Sequence, residues 1–196
     1  MTANEAAFVT GVPLRQVHRI IDAGLLKGAV RRRHNARLLA RGALVGLKLA
    51  HETADVLTRE SRRAVVAILI RRPRQPIVRA AAVVVDARQA VKVVQSGLDQ
   101  LAKARRMVSS TTEVLGGTPV IKGTRIPVHD IAEMLANGDD PAAVVKAYPQ
   151  LDRDRVRLAA VYALAYPRRG RPRMAGWHRR QPKVSETITL DLVKRP

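Results

Sequence analysis

Apolar residues recur at helical spacing in several short runs of this chain and alternate in only a few places, a pattern that predicts mostly short helices with small β elements between them. Ala6, Ala7 and Val9 mark a first short helix behind the N-cap candidate Thr2, and Thr10-Gly11-Val12-Pro13 breaks it. Val17, Ile20 and Ile21 line one face of a second helix, closed by Asp22-Ala23-Gly24-Leu25. From Ala29 to Leu39 short strands are expected on either side of Arg31-Arg32-Arg33-His34-Asn35. Leu44, Leu47, Leu49 and Val56 predict a helix from about Arg41 to Leu57, and another follows from Arg62 to Ile70. Two prolines and three arginines in Arg71–Pro76 end that run.

β-branched residues dominate Ile77–Val85 and predict a strand, after which Asp86 and Gln89 have the spacing of a capping box. The helix behind them, to about Arg106, carries Val91, Val94, Leu98 and Leu101 at spacings of 3, 4 and 3. That seam suits packing within the core, with dimerisation as the alternative. Gly116-Gly117-Thr118-Pro119-Val120-Ile121-Lys122-Gly123-Thr124-Arg125-Ile126-Pro127-Val128 reads as a tight turn and small hairpin leading into a helix. Asp140 and Asp152 cap two further helices, Ala142–Ala147 and Arg153–Tyr166, with Pro141 at a favoured first position. Beyond Pro167 apolar residues are too few to support an independent fold, until Ile188, Leu190 and Leu192 alternate along one strand face.

The chain has 196 residues, 46% of them apolar and only 3% aromatic, which suits small helical domains with Ala, Val and Leu cores. It contains no cysteine, which excludes disulfides and thiolate metal sites, and no uncharged run long enough to span a membrane. A cytoplasmic location is expected, since Met1–Phe8 lacks the pattern of a secretory signal. The net charge of +20 calls for a polyanionic or acidic partner. Residues 1–76 hold 15 Lys/Arg against 5 Asp/Glu (+10), residues 77–166 hold 12 against 9 (+3), and residues 167–196 hold 9 against 2 (+7). The charge therefore sits at the two ends, flanking a nearly neutral body.

Candidate chemistry follows that distribution. Arg15, Gln16, His18 and Arg19 fall on the solvent side of the second helix, and with Arg31, Arg32 and Arg33 they are the expected DNA-binding residues. No catalytic residue, metal site or cofactor is expected. The carboxylates Asp139, Asp140 and Asp152 are better used as helix caps, and the five histidines show no ligand spacing. Lys122-Gly123-Thr124 lacks the spaced glycine of a phosphate-binding loop.

Two resemblances sharpen this picture. The hairpin motif, the helix Ile131–Ala136 closed by Asn137-Gly138, Asp140-Pro141, the Tyr148–Leu151 break and the final helix ending Ala163–Tyr166 resemble the family catalogued as domain of unknown function 433, a group of VapB-type antitoxins. Ala7, Gly11, Val12, Val17 and Ile20 resemble the first helices of MerR-type winged domains. Together they imply a mainly α fold with short β-hairpins. Residues 1–76 would form a winged helix-turn-helix DNA-binding domain, 77–108 a connector that could dimerise, 109–166 a small helical antitoxin domain, and 167–196 a basic arm.

The implied function is that of an antitoxin that inhibits a PIN-like ribonuclease toxin and, as a homodimer, represses its own operon. Arg168, Arg169, Arg171, Arg173, Arg179 and Arg180, with Trp177, Ile188, Leu190 and Leu192, are the expected toxin contacts. PIN-type enzymes hold Mg²⁺ with carboxylates, and Arg171, Arg173 or Arg179 would compensate that charge bidentately. The alternatives are a free-standing MerR-like regulator without a toxin, and a general RNA- or nucleoid-binding protein, which the scarcity of aromatic residues disfavours.

Overall fold

A computed structural model describes residues 1–33 and 36–168, and it is mainly helical with three two-stranded antiparallel pairs. Helix α1 (Ala3–Thr10) starts at Thr2 in a reciprocal capping box: Thr2 Oγ1 accepts the Glu5 amide and Glu5 Oε2 accepts the Thr2 amide. Its last turn is closed by Thr10, whose hydroxyl donates to Ala6 O and accepts from Val12 N. Helix α2 (Leu14–Asp22) follows, with Val17 and Ile20 buried. The pair β1 (Val30–Arg33) and β2 (Ala36–Leu39) comes next, so Arg31–Arg33 form a strand rather than the loop between strands. The predicted helix Arg41–Leu57 is shorter than its apolar spacing suggested. A 3₁₀ turn at Arg41–Ala43 leads into α3 (Leu44–Glu52), and Val56 lies beyond it, 82% exposed.

Helix α4 (Arg59–Arg71) is capped by Thr58. The single strand expected over Ile77–Val85 is a hairpin of β3 (Ile77–Ala80) and β4 (Val83–Asp86). Ala81 makes the reversal at φ 51°, and no glycine or proline announces it. The capping box of Asp86 with Gln89 does not form: Asp86 accepts from the amide and guanidinium of Arg88 instead, at the start of α5 (Arg88–Met107).

Helix α5 is the spine. Val94, Gly97, Leu101 and Ala104 are buried, and Val91 and Leu98 pack against the same core, so the 3-4-3 seam faces inward. Gly97 lets α1 come close, since a β-carbon there would lie 2.5 Å from Val9 O. Ala80, Ala87, Ala90, Val94 and Leu101 join one apolar cluster with Val9, Val17, Leu47, Val66 and Leu69, so residues 77–108 share the core of the N-terminal helices.

The second cluster belongs to the C-terminal part. β5 (Val108–Ser109) pairs with β6 (Val120–Ile121) across a loop in which Gly116 and Gly117 take φ of 61° and 86°. The predicted tight turn is thus there. The second side of the expected small hairpin is reduced to a single bridge of Pro127 to Val120, because Val128 already begins α6 (Val128–Ala136). Asp140 caps α7 (Pro141–Ala147) and Asp152 caps α8 (Arg153–Ala165). Asp139, also read as a cap, instead closes α6 by donating its amide to Met134 O. Ile121, Val128, Ile131, Val144, Leu151, Val156 and Ala159 fill this core.

The two cores are joined where α8 runs against α1 and α5. Buried Glu5 of α1 receives the Tyr166 hydroxyl and the Arg105 guanidinium, and Arg105 Nε donates in turn to the Tyr166 hydroxyl. The Glu5 capping role was readable as a glutamate three residues after Thr2. Its pairing with residues 100 and more positions away was not.

Candidate nucleic-acid interface

Burial of Val17 and Ile20 rotates the opposite side of α2 outward, leaving Arg15, His18 and Arg19 exposed and Gln16 half-buried. At 100° per residue Arg15 takes the crest of that face, Gln16 and Arg19 one flank, and His18 the other. Lys48 Nζ donates to Thr10 O at 3.2 Å, covering the carbonyl end of α1 beside the turn that sets the α2 angle.

The β1–β2 hairpin is pinned to α2 by the pair of Arg37 with Asp22, and to the chain start by Met1, whose amino group donates to Leu39 O at 2.7 Å. Arg32 stands directly opposite Arg37, so both occupy the hairpin face turned toward α2. Arg31 and Arg33 fall on the other face, and all three are exposed. Asp22 neutralises Arg37, which limits the repulsion between the facing arginines.

None of Arg15, Arg19, Arg31, Arg32 and Arg33 makes an ion pair among the described residues, whereas arginines with a carboxylate in reach, such as Arg88 with Asp86 and Arg155 with Asp152, do. The Asp86 carboxyl is held at about 2 by hydrogen bonds from Arg88. The α2 and β1 guanidiniums thus keep their donors free for an anionic ligand. Among the described residues no group of three or more His, Asp or Glu is placed to hold a metal, and no helix is long and apolar enough to cross a membrane.

Of the residues expected to contact a toxin, only Arg168 lies within the described range. It pairs with Asp130 at the start of α6, beside His129, whose Nε2 bonds Tyr166 O at 2.7 Å. Arg169, Arg171, Arg173, Trp177, Arg179, Arg180, Ile188, Leu190 and Leu192 lie outside the described residues. Sequence reasoning did not single out Arg59 and Arg62 of α4: Arg59 donates to Ala23 O at the end of α2 and Arg62 to Ala50 O near the end of α3. Read alone, they are two charges on an amphipathic helix.

Residues 108–163 match the family described as protein of unknown function (DUF433). A relative from Sinorhizobium fredii (strain NBRC 101917 / NGR234), named uncharacterized protein y4eO, is 36% identical over 189 residues, covering 90% of this chain and 86% of its own. The chain belongs to this DUF433 family, and its likeness to the rhizobial protein extends well beyond the matched segment into the N-terminal helices. No solved structure matches it.

Proposed function

We propose that this protein is a non-catalytic antitoxin of a type II toxin–antitoxin pair, which represses its own operon through the α2 face and holds a PIN-like ribonuclease inactive in the cytoplasm. The observation that carries the DNA-binding half is the unpaired basic surface formed by Arg15, His18 and Arg19 of α2 beside Arg32 of the neighbouring hairpin. Two short helices about a turn, followed by a β-hairpin, have the order of a MerR-like winged helix-turn-helix. A homodimer would present two such faces to the two halves of an operator. The antitoxin half is supported by the resemblance of residues 109–166 and by the +7 charge of residues 167–196, suited to a carboxylate-lined nuclease site.

Co-expression with the product of the adjoining reading frame tests the whole reading. The full chain should rescue growth, and a chain ending at Arg168 should bind DNA normally but fail to rescue. Equal rescue by the shortened chain would move inhibition to the 109–166 body. A second reading, a free-standing MerR-like regulator, is favoured by one fact: the basic face is built entirely within residues 1–76. It predicts DNA binding with no effect of the neighbouring gene product on growth.

A further inference from the structure

Beside α2 lies a groove of about 160 Å³ between the end of that helix, the end of α3 and the first turn of α4. Its polar walls are Gln16, Arg19, His51, Arg59 and Arg62, its floor includes Ile20, and none of its lining residues is acidic. Arg59 Nη2 donates to Ala23 O at 2.6 Å and Arg62 Nη1 to Ala50 O at 3.3 Å, so each guanidinium is anchored on the carbonyl at a helix end by one of its five donors. Such carbonyls attract cations, which accounts for where the arginines stand. It does not account for the donors left over. Arg62 Nε is buried with no acceptor, and neither Arg59, Arg62 nor Arg19 pairs with a carboxylate among the described residues.

We propose that this groove is a phosphate-gripping subsite for the backbone of duplex DNA, in which Arg19, Arg59 and Arg62 hold one phosphodiester. The inference rests on the DNA-binding reading above and changes one role within it: Arg19, on the flank of α2 that faces the groove, is a backbone contact, while Arg15 on the crest remains free to meet base edges. An arginine fork matches a phosphate bidentately. The long, 3.3 Å bond and the unpaired Nε make the present Arg62 position easy to exchange for one on an incoming oxygen.

The test uses the full chain, a mixed-sequence duplex of about 30 base pairs, sized for half-sites one or two helical turns apart, and a duplex from immediately upstream of its own gene. Affinity is followed by anisotropy across a salt series. Arg59→Gln and Arg62→Gln, and likewise Arg19→Gln, should weaken binding to both duplexes by similar factors and each make the salt slope shallower by less than about one, with the triple variant losing about one because the three share one phosphate. Arg62→Lys, which keeps the charge, should restore most of the slope, and melting curves of all variants exclude a folding defect. Wild-type slope and affinity in Arg59→Gln and Arg62→Gln would overturn the subsite while leaving the DNA reading intact. A selective loss on the upstream duplex for Arg19→Gln would return that residue to base reading and also overturn it. Failure of the wild-type chain to bind either duplex would remove the DNA reading and the subsite together.

Discussion

Gly97 shows how one residue without a side chain sets the distance between two helices. Alanine is normally favoured over glycine inside a helix by roughly 0.5–1 kcal/mol, and α5 is a regular 20-residue helix, so Gly97→Ala should stabilise the chain if only propensity counted. The β-carbon would stand 2.5 Å from Val9 O and 2.8 Å from Val9 Cα, and backbone cannot rotate away as a side chain can. Overpacking of this kind costs about 1–3 kcal/mol, so we expect a lower melting temperature, measured by circular dichroism. A rise would mean that α1 sits farther from α5. Nothing in the sequence marks this glycine, since its partner lies on a segment almost ninety residues earlier. Thr2, Asp140 and Asp152 were legible because a cap acts on amides two or three residues away.

Elements were readable where their signal is local and misread where a neighbour decides. The 3-4-3 seam of α5 pointed to packing, and its buried face is that seam. Val56 continued an apolar spacing past the end of α3 because spacing alone does not register that no element covers it. The β3–β4 reversal was invisible because Ala81 occupies a position at φ 51° that glycine ordinarily fills. Ala81→Gly should therefore relieve strain of about 1–2 kcal/mol against an entropy cost near 0.5–1, a net gain of up to about 1.5 kcal/mol in denaturant unfolding. A loss of stability would show that the turn is not strained. For the β1–β2 hairpin, the pairing of Arg32 with Arg37 puts both on one face, which under the proposed DNA-binding reading is the face that meets DNA. Arg32→Ser should make the salt slope of DNA binding shallower by about one, with smaller changes for Arg31→Ser and Arg33→Ser. Larger changes for the latter two would mean that the hairpin lies on DNA by its opposite face.

At the scale of the whole molecule, Tyr166, Arg105 and Glu5 tie the end of α8 to α5 and to the first turn of α1, and this link makes stability depend on pH at both extremes. Burial is the largest influence on Glu5 and raises its pKa, but the hydroxyl of Tyr166, the Thr2 amide and Arg105 together outweigh it and leave the carboxyl below its ordinary value. Burial, then donation to Glu5, pushes the Tyr166 phenol up to about 12 from an ordinary 10.0. A lowered acid contributes stability above its unfolded pKa and loses it as pH falls; a raised phenol contributes fully below its unfolded pKa and loses it as pH rises through the folded one. Melting temperature should thus decline from about pH 10 toward 12 more steeply in the wild type than in Tyr166→Phe, whose alkaline limb lacks that titration. At neutral pH the same variant should be less stable by about 1–2 kcal/mol, because a buried carboxylate oxygen loses a donor and Arg105 Nε an acceptor, while the bonds of Arg105 Nη2 and the Thr2 amide to Glu5 remain. Parallel alkaline limbs in the two proteins would show that the phenol does not bridge the two cores, and that α8 is held against α1 by apolar contact alone.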